Sequence, residues 1–145
     1  MKKYKTLITI LTIIAVPIAL IWWGNANQAK QITSDDPDVI SLQGVHYHPE
    51  LKIFVKGEQI EIPPNIGLVG GHQPIHTHED APIVHLEFPA KVMKEDTRLG
   101  RFFEIWGKDF RSFGQNVTMT VNGELNTEFE NYEMKDKDVI ELRYE

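Results

Sequence analysis

All six histidines of this 145-residue chain, His46, His48, His72, His76, His78 and His85, fall within a 40-residue stretch. Their spacing points to chemistry more than their number does. His46-Tyr-His48 and His76-Thr-His78 are both H-x-H, and His85-Leu-Glu87 repeats the spacing with a carboxylate. In extended chain, residues two apart share a face, so each pair presents two donors to one ion. Imidazole nitrogens with a carboxylate and no thiolate suit Zn(II), Cu(II), Ni(II) or non-haem iron.

We therefore read His46, His48, His76, His78, His85 and Glu87 as one metal site for Zn2+ or Cu2+, taking one or two ions. The donors exceed the four of a zinc site, so either two ions bind or some donors support the rest. His72 follows Gly70-Gly71 without a paired partner and reads as loop surface. Glu50, Glu79 and Asp80 read as solvated acids beside the histidines.

The chain has no cysteine. That excludes disulfides, thiolate zinc sites, iron–sulfur clusters and a thiol nucleophile. No H-E-x-x-H sequence occurs, and Ser34, Ser41 and Ser112 lack a nucleophile frame. The leading reading is a metal-binding protein for sensing, delivery or sequestration. The alternatives are a hydrolytic or oxidative metalloenzyme with an open coordination position, a metal-free module binding an envelope protein, and a pH-sensitive histidine cluster.

The elements that must position these residues follow from periodicity. Leu51-Lys-Ile-Phe-Val-Lys and Gln59-Ile-Glu-Ile alternate on either side of Gly57, predicting a hairpin. Residues 65–82 read as loop. Ile83-Val-His-Leu-Glu-Phe predicts a strand with Val84, Leu86 and Phe88 on the core face and His85 and Glu87 on the other. Leu99, Phe102, Phe103 and Trp106 form a helical stripe, with Asp96 or Thr97 as N-cap and Gly107 as stop. Val117-Thr-Met-Thr-Val, Asn122-Gly123 and Glu124-Leu125 predict a second hairpin. Asp138 to Tyr144 predicts a last strand with Ile140, Leu142 and Tyr144 on one face. The order predicts an α+β fold, one mixed sheet with one main helix.

Residues 7–23 carry no charge and follow Lys2, Lys3 and Lys5. As a helix they would span about 25 Å, at the short end for a membrane crossing. Trp22-Trp23 suits the membrane interface. We read residues 1–24 as a transmembrane anchor, residues 25–38 as a polar linker and residues 39–145 as one domain. A signal peptide cleaved after Ala26 is the alternative, which would make the protein secreted. Either way, lysines before the apolar run place the domain on the extracytoplasmic side, N-terminus in and C-terminus out.

Residues 31–145 carry 11 basic and 21 acidic side chains, a net charge of −10. Such a surface repels phosphate backbones and argues against nucleic-acid binding. The partners expected are a metal ion, the membrane through the N-terminal helix and an envelope protein.

The ordered series H-x-H, I-P-x-N-I-G, H-T-H-E, I-V-H-L-E and L-G-R-F-F-E-I-W-G spans His46 to Gly107. It resembles a group of membrane-anchored or secreted prokaryotic histidine-rich proteins. The resemblance implies that His46, His48, His76, His78, His85 and Glu87 act as one site, and it supplies no reaction. The stretch from Val121-Asn-Gly to Asp138-Val-Ile-Glu-Leu resembles the end of small β-grasp proteins such as the sulphur carriers. That resemblance implies a β-grasp-like domain, but the carriers' terminal Gly-Gly is replaced here by Tyr144-Glu145, so sulphur transfer does not carry over. Gly70, five residues, then His76-Thr-His78 also fits the start of a cupin motif. Pro82 and Ile83 stand where that motif wants Glu, and no histidine follows His85.

Overall fold

The computed structural model of the protein describes residues 36–145. The expected anchor over residues 1–24, and the linker as far as residue 35, lie outside the described residues. Among the described residues no helix is long and apolar enough to cross a membrane.

The longest alternating segments build one sheet. Strands β3 (Glu50–Val55), β4 (Glu58–Ile60), β8 (Val117–Val121), β9 (Glu124–Asn126) and β10 (Val139–Tyr144) lie in the order β4-β3-β10-β8-β9. The last strand sits in the middle, parallel to β3 from Val139↔Glu50 to Tyr144↔Val55 and antiparallel to β8. Both outer pairs are the expected hairpins. Asn122 and Gly123 take φ of +54° and +84°, the turn whose twist matches a two-residue hairpin. Ile140, Leu142 and Tyr144 are buried with Leu51, Ile53 and Met119, as alternation requires.

Helix α1 (Leu99–Trp106) buries Leu99, Phe102 and Phe103 in the same core. Eight residues are too few to hold a helix alone, so this packing sustains it. Gly107 ends it in the left-handed region; the Gly107 N–H reaches the Glu104 carbonyl and the Lys108 N–H reaches the Phe103 carbonyl. The start differs from the expectation. Asp96 and Thr97 close a 3₁₀ turn (Lys94–Thr97) instead of capping α1, with Asp96 Oδ2 accepting from the Met93 N–H at 2.8 Å. The Leu99 N–H is satisfied by the Tyr132 carbonyl at 2.8 Å.

The α+β expectation, a single mixed sheet of β-grasp-like form with one main helix, is overturned. Strands make up 36% of the described residues and helical turns 14%, so this is a mostly β structure. The ten strands among the described residues fall in three sheets. Strands β1 (Val39–Ser41) and β7 (Val92–Met93) pair as a two-stranded ribbon. Strands β2 (Val45–Tyr47), β5 (Ile75–His76) and β6 (His85–Phe88) form a third sheet in the order β2-β6-β5. Strands of two to four residues show too little alternation to be told from loop, which is why residues 39–48 and 65–82 did not announce them.

This third sheet positions the histidines. It is stitched to β3 where the Leu51 N–H donates to the Pro82 carbonyl and the Val84 N–H to the Pro49 carbonyl, both at 2.9 Å. One of its faces carries the row Tyr47↔Leu86↔Ile75 into the core. Its other face carries imidazoles.

Candidate metal centre

Register brings the donors together. His46 lies opposite Glu87 in the β2–β6 ladder, and His76 lies opposite His85 in the β5–β6 ladder. Directly opposed residues share a face, with Cβ atoms about 5 Å apart. His48 continues the β2 line past Tyr47, and its ring meets that of His85 at 4.9 Å between centroids. His78 continues the β5 line and meets both His76 and His85 at 4.8 Å. His72 reaches back to His76, their centroids 4.5 Å apart.

All six imidazoles and Glu87 therefore form one connected cluster. Within it three sets of donors have ligand atoms lying within 4.8 Å of one another: His76, His78 and His85; His46, His48 and Glu87; and His72, His76 and Glu87. These are groups that could hold a metal ion. They include every residue assigned to the site from sequence. They also add His72, which its isolated position after two glycines assigned to the loop surface.

The H-T-H segment is held by its middle residue. Thr77 is buried; its N–H donates to the Ile66 carbonyl at 3.1 Å, and its carbonyl accepts from the Asn65 N–H at 2.9 Å. Its hydroxyl donates to the Pro63 carbonyl at 2.9 Å and accepts from the Ile66 N–H at 3.1 Å. Thr77 is thus pinned to the I-P-x-N-I-G loop, leaving its two neighbours to face the cluster. Gly67 belongs to that loop. A Cβ there would stand 2.4 Å from the Ile75 carbonyl oxygen and 3.2 Å from His76 Cβ.

His76 is the centre of the electrostatics. It is fully buried, and its Nδ1–H donates to the Gln73 carbonyl at 3.1 Å. That bond fixes the tautomer and leaves the lone pair on Nε2. Nε2 is buried and has no hydrogen-bond partner. Burial is the main cause holding the His76 pKa below the usual imidazole range, with His72 and His78 adding to it against the Gln73 carbonyl. The ring is therefore neutral, the form that ligates.

Carboxylates surround the rings. Asp80 lies 3.1 Å from His85 Nε2 and can only accept there, so His85 keeps its lone pair on Nδ1. Glu87 Oε1 lies 3.1 Å from His46 Nε2. Asp136 accepts the His48 backbone N–H at 3.0 Å and lies 3.8 Å from its Nδ1. Asp80 is thus an orienting carboxylate rather than a solvated one, whereas Glu50 pairs with Lys52 at 3.1 Å. Asp136, 88 residues from its partner, has no sequence signal at all. Beside the outer histidines lies an open cleft of about 660 Å³, walled in part by His46, His72, Glu87 and Phe88.

No protein-family model matches this chain, and no curated protein or solved structure proved similar to it.

Proposed function

We propose that this is a metal-binding protein of the cell envelope, taking copper or zinc through its histidine cluster for sensing, delivery or sequestration. The observation that carries the reading is His76 Nε2. A buried polar atom without a partner costs roughly 1–3 kcal/mol, and native structures rarely keep one. Here the orphaned atom is an imidazole lone pair whose ring is flanked by His72, His78 and His85. A divalent cation satisfies it and draws on the neighbouring donors.

Imidazole with one carboxylate, in a chain without thiols, favours zinc or copper(II) over softer or harder ions. The apolar residues 7–23 behind three lysines support tethering to a membrane, with residues 36–145 on the extracytoplasmic side. The series of motifs from His46 to Gly107 is consistent with one functional unit, because its I-P-x-N-I-G loop braces its H-T-H pair.

The test is metal content. The untagged full chain, purified in detergent, is stripped with a chelator, reloaded and measured by ICP-MS. At least one equivalent of copper or zinc, lost in the His76→Ala/His78→Ala double variant, is expected. No reloading at micromolar free ion would overturn the reading.

A further inference from the structure

The three donor sets are not independent, and their overlaps restrict how ions can occupy them. His76 has one nitrogen to give, since Nδ1–H is committed to the Gln73 carbonyl. An ion on His76, His78 and His85 therefore excludes one on His72, His76 and Glu87. The set His46, His48 and Glu87 shares no residue with His76, His78 and His85. These two can be filled together.

Resting on the metal-binding reading above, we propose that the cluster holds two divalent ions at once: an inner, tight ion on His76, His78 and His85, and an outer, exchangeable ion on His46, His48 and Glu87. His72 then belongs to neither resident site, since the set that contains it shares His76 with the inner ion and Glu87 with the outer one. Nearby carboxylates offset the charge of the pair: Asp80 stands on His85 at the inner set, Asp136 on His48 at the outer, and Glu87, 3.1 Å from His46 Nε2 and 3.9 Å from His85 Nδ1, lies between the two. The contact between the His48 and His85 rings makes the two sites neighbours.

The difference in strength follows from what each ion replaces. The inner ion satisfies His76 Nε2, a buried nitrogen with no hydrogen-bond partner. The outer ion must displace the 3.1 Å contact between His46 Nε2 and Glu87 Oε1. Giving up such a solvent-exposed contact weakens affinity by up to about fivefold, and the burial of His76 and His85 strengthens the inner ion's bonds further. His46 and Glu87 also wall the cleft, so a coordination position left open on the outer ion faces solvent and any small donor molecule that enters.

Calorimetric titration of the metal-free full chain with Zn2+ tests this. Two equivalents are expected, the first at least tenfold tighter. His78→Ala removes the tight one and keeps the weak one; His46→Ala/His48→Ala does the reverse. His46 and His78 are exposed, and His48 is half-buried outside the hydrophobic core, so these variants retain that core. A measurement without variants gives the same answer: a limiting chelator takes one equivalent from the loaded wild type and leaves the other. One equivalent in the wild type, or both leaving in a single step, overturns the two-ion proposal and spares the metal-binding reading. No zinc bound at all overturns the two-ion proposal, and no copper bound either overturns the metal-binding reading as well.

Discussion

His76 and His85 face each other across the β5–β6 ladder, and their rings stack with centroids 5.4 Å apart at an interplanar angle of 13°. Both are buried, and the opposite face of the same short sheet packs into the hydrophobic core. Burial, first of all, holds the His76 pKa below the usual imidazole range, which favours the neutral ring with its Nε2 lone pair available, the state a metal requires. Burial and register thus act together: the ladder sets the distance, and the core beneath it removes the competing water.

The loop that braces this pair should be intolerant of bulk. Gly67 has φ of +76°, and a Cβ on it would run into the Ile75 carbonyl. Gly67→Ala is expected to destabilise the metal-free protein by roughly 1–3 kcal/mol through strain and displacement of Ile75. Because Ile75 adjoins His76, zinc affinity should fall as well. Gly70→Ala, also at positive φ but with open space around its Cβ, should cost less and leave zinc affinity unchanged. Thermal unfolding and zinc titration of the two variants check this.

Asp80 is expected to tune affinity without supporting the fold. Its carboxylate accepts from His85 Nε2 and is otherwise exposed. Removing such an orienting partner costs roughly 10–100-fold in metal affinity. Asp80→Ala should show that loss by competition with a chromophoric chelator, with the melting temperature of the metal-free protein nearly unchanged. Unaltered affinity would make Asp80 a bystander.

Which parts were legible from sequence has a physical reason. His46-x-His48 and His76-x-His78 are readable because a strand's period is two, and both pairs do face one cluster. The longer strands and α1 are readable for the same reason, since Leu51 to Val55, Ile140 to Tyr144 and Leu99 to Trp106 each run long enough to show a period. His72 was hidden because its approach to His76 depends on two glycines at positive φ, Gly70 and Gly71, and not on spacing. Asp136 was hidden because its contact with His48 is purely tertiary. The fold class is not legible at β1, β2, β5 and β7, whose two or three residues leave no pattern.

A buried carboxylate away from the cluster should behave as structure alone. Asp138 accepts from the Tyr132 hydroxyl at 2.6 Å, the Lys135 N–H at 2.9 Å and Asn122 Nδ2 at 3.0 Å. It anchors the Asn122-Gly123 hairpin to the start of β10. Asp138→Ala leaves three donors unsatisfied and should destabilise by about 3 kcal/mol. Zinc stoichiometry should be unchanged, because no donor of the cluster bonds to it. Chemical denaturation paired with zinc titration separates the two effects.

Two buried tyrosines should make the fold sensitive to alkali. Burial, first of all, pushes the Tyr132 and Tyr144 hydroxyls well above the ordinary phenol range, and Asp138 adds to this at Tyr132. Both hydroxyls donate, to Asp138 Oδ2 at 2.6 Å and to the Phe110 carbonyl at 2.7 Å. A folded-state pKa above the unfolded one means that the unfolded chain ionises first as pH rises. The stabilisation is therefore complete below the unfolded tyrosine pKa of about 10 and is lost as pH climbs from there toward the folded values. Each tyrosine contributes a slope of about 1.4 kcal/mol per pH unit in that window. Urea unfolding of the metal-free chain should give the same stability at pH 8 and pH 9 with respect to these groups, and a steep fall above pH 10. Tyr144→Phe removes one ionisable group and should flatten the fall by about half, even though it starts from a less stable protein. A stability profile that stays level to pH 11 in the wild type would show that neither hydroxyl is held as the structure indicates.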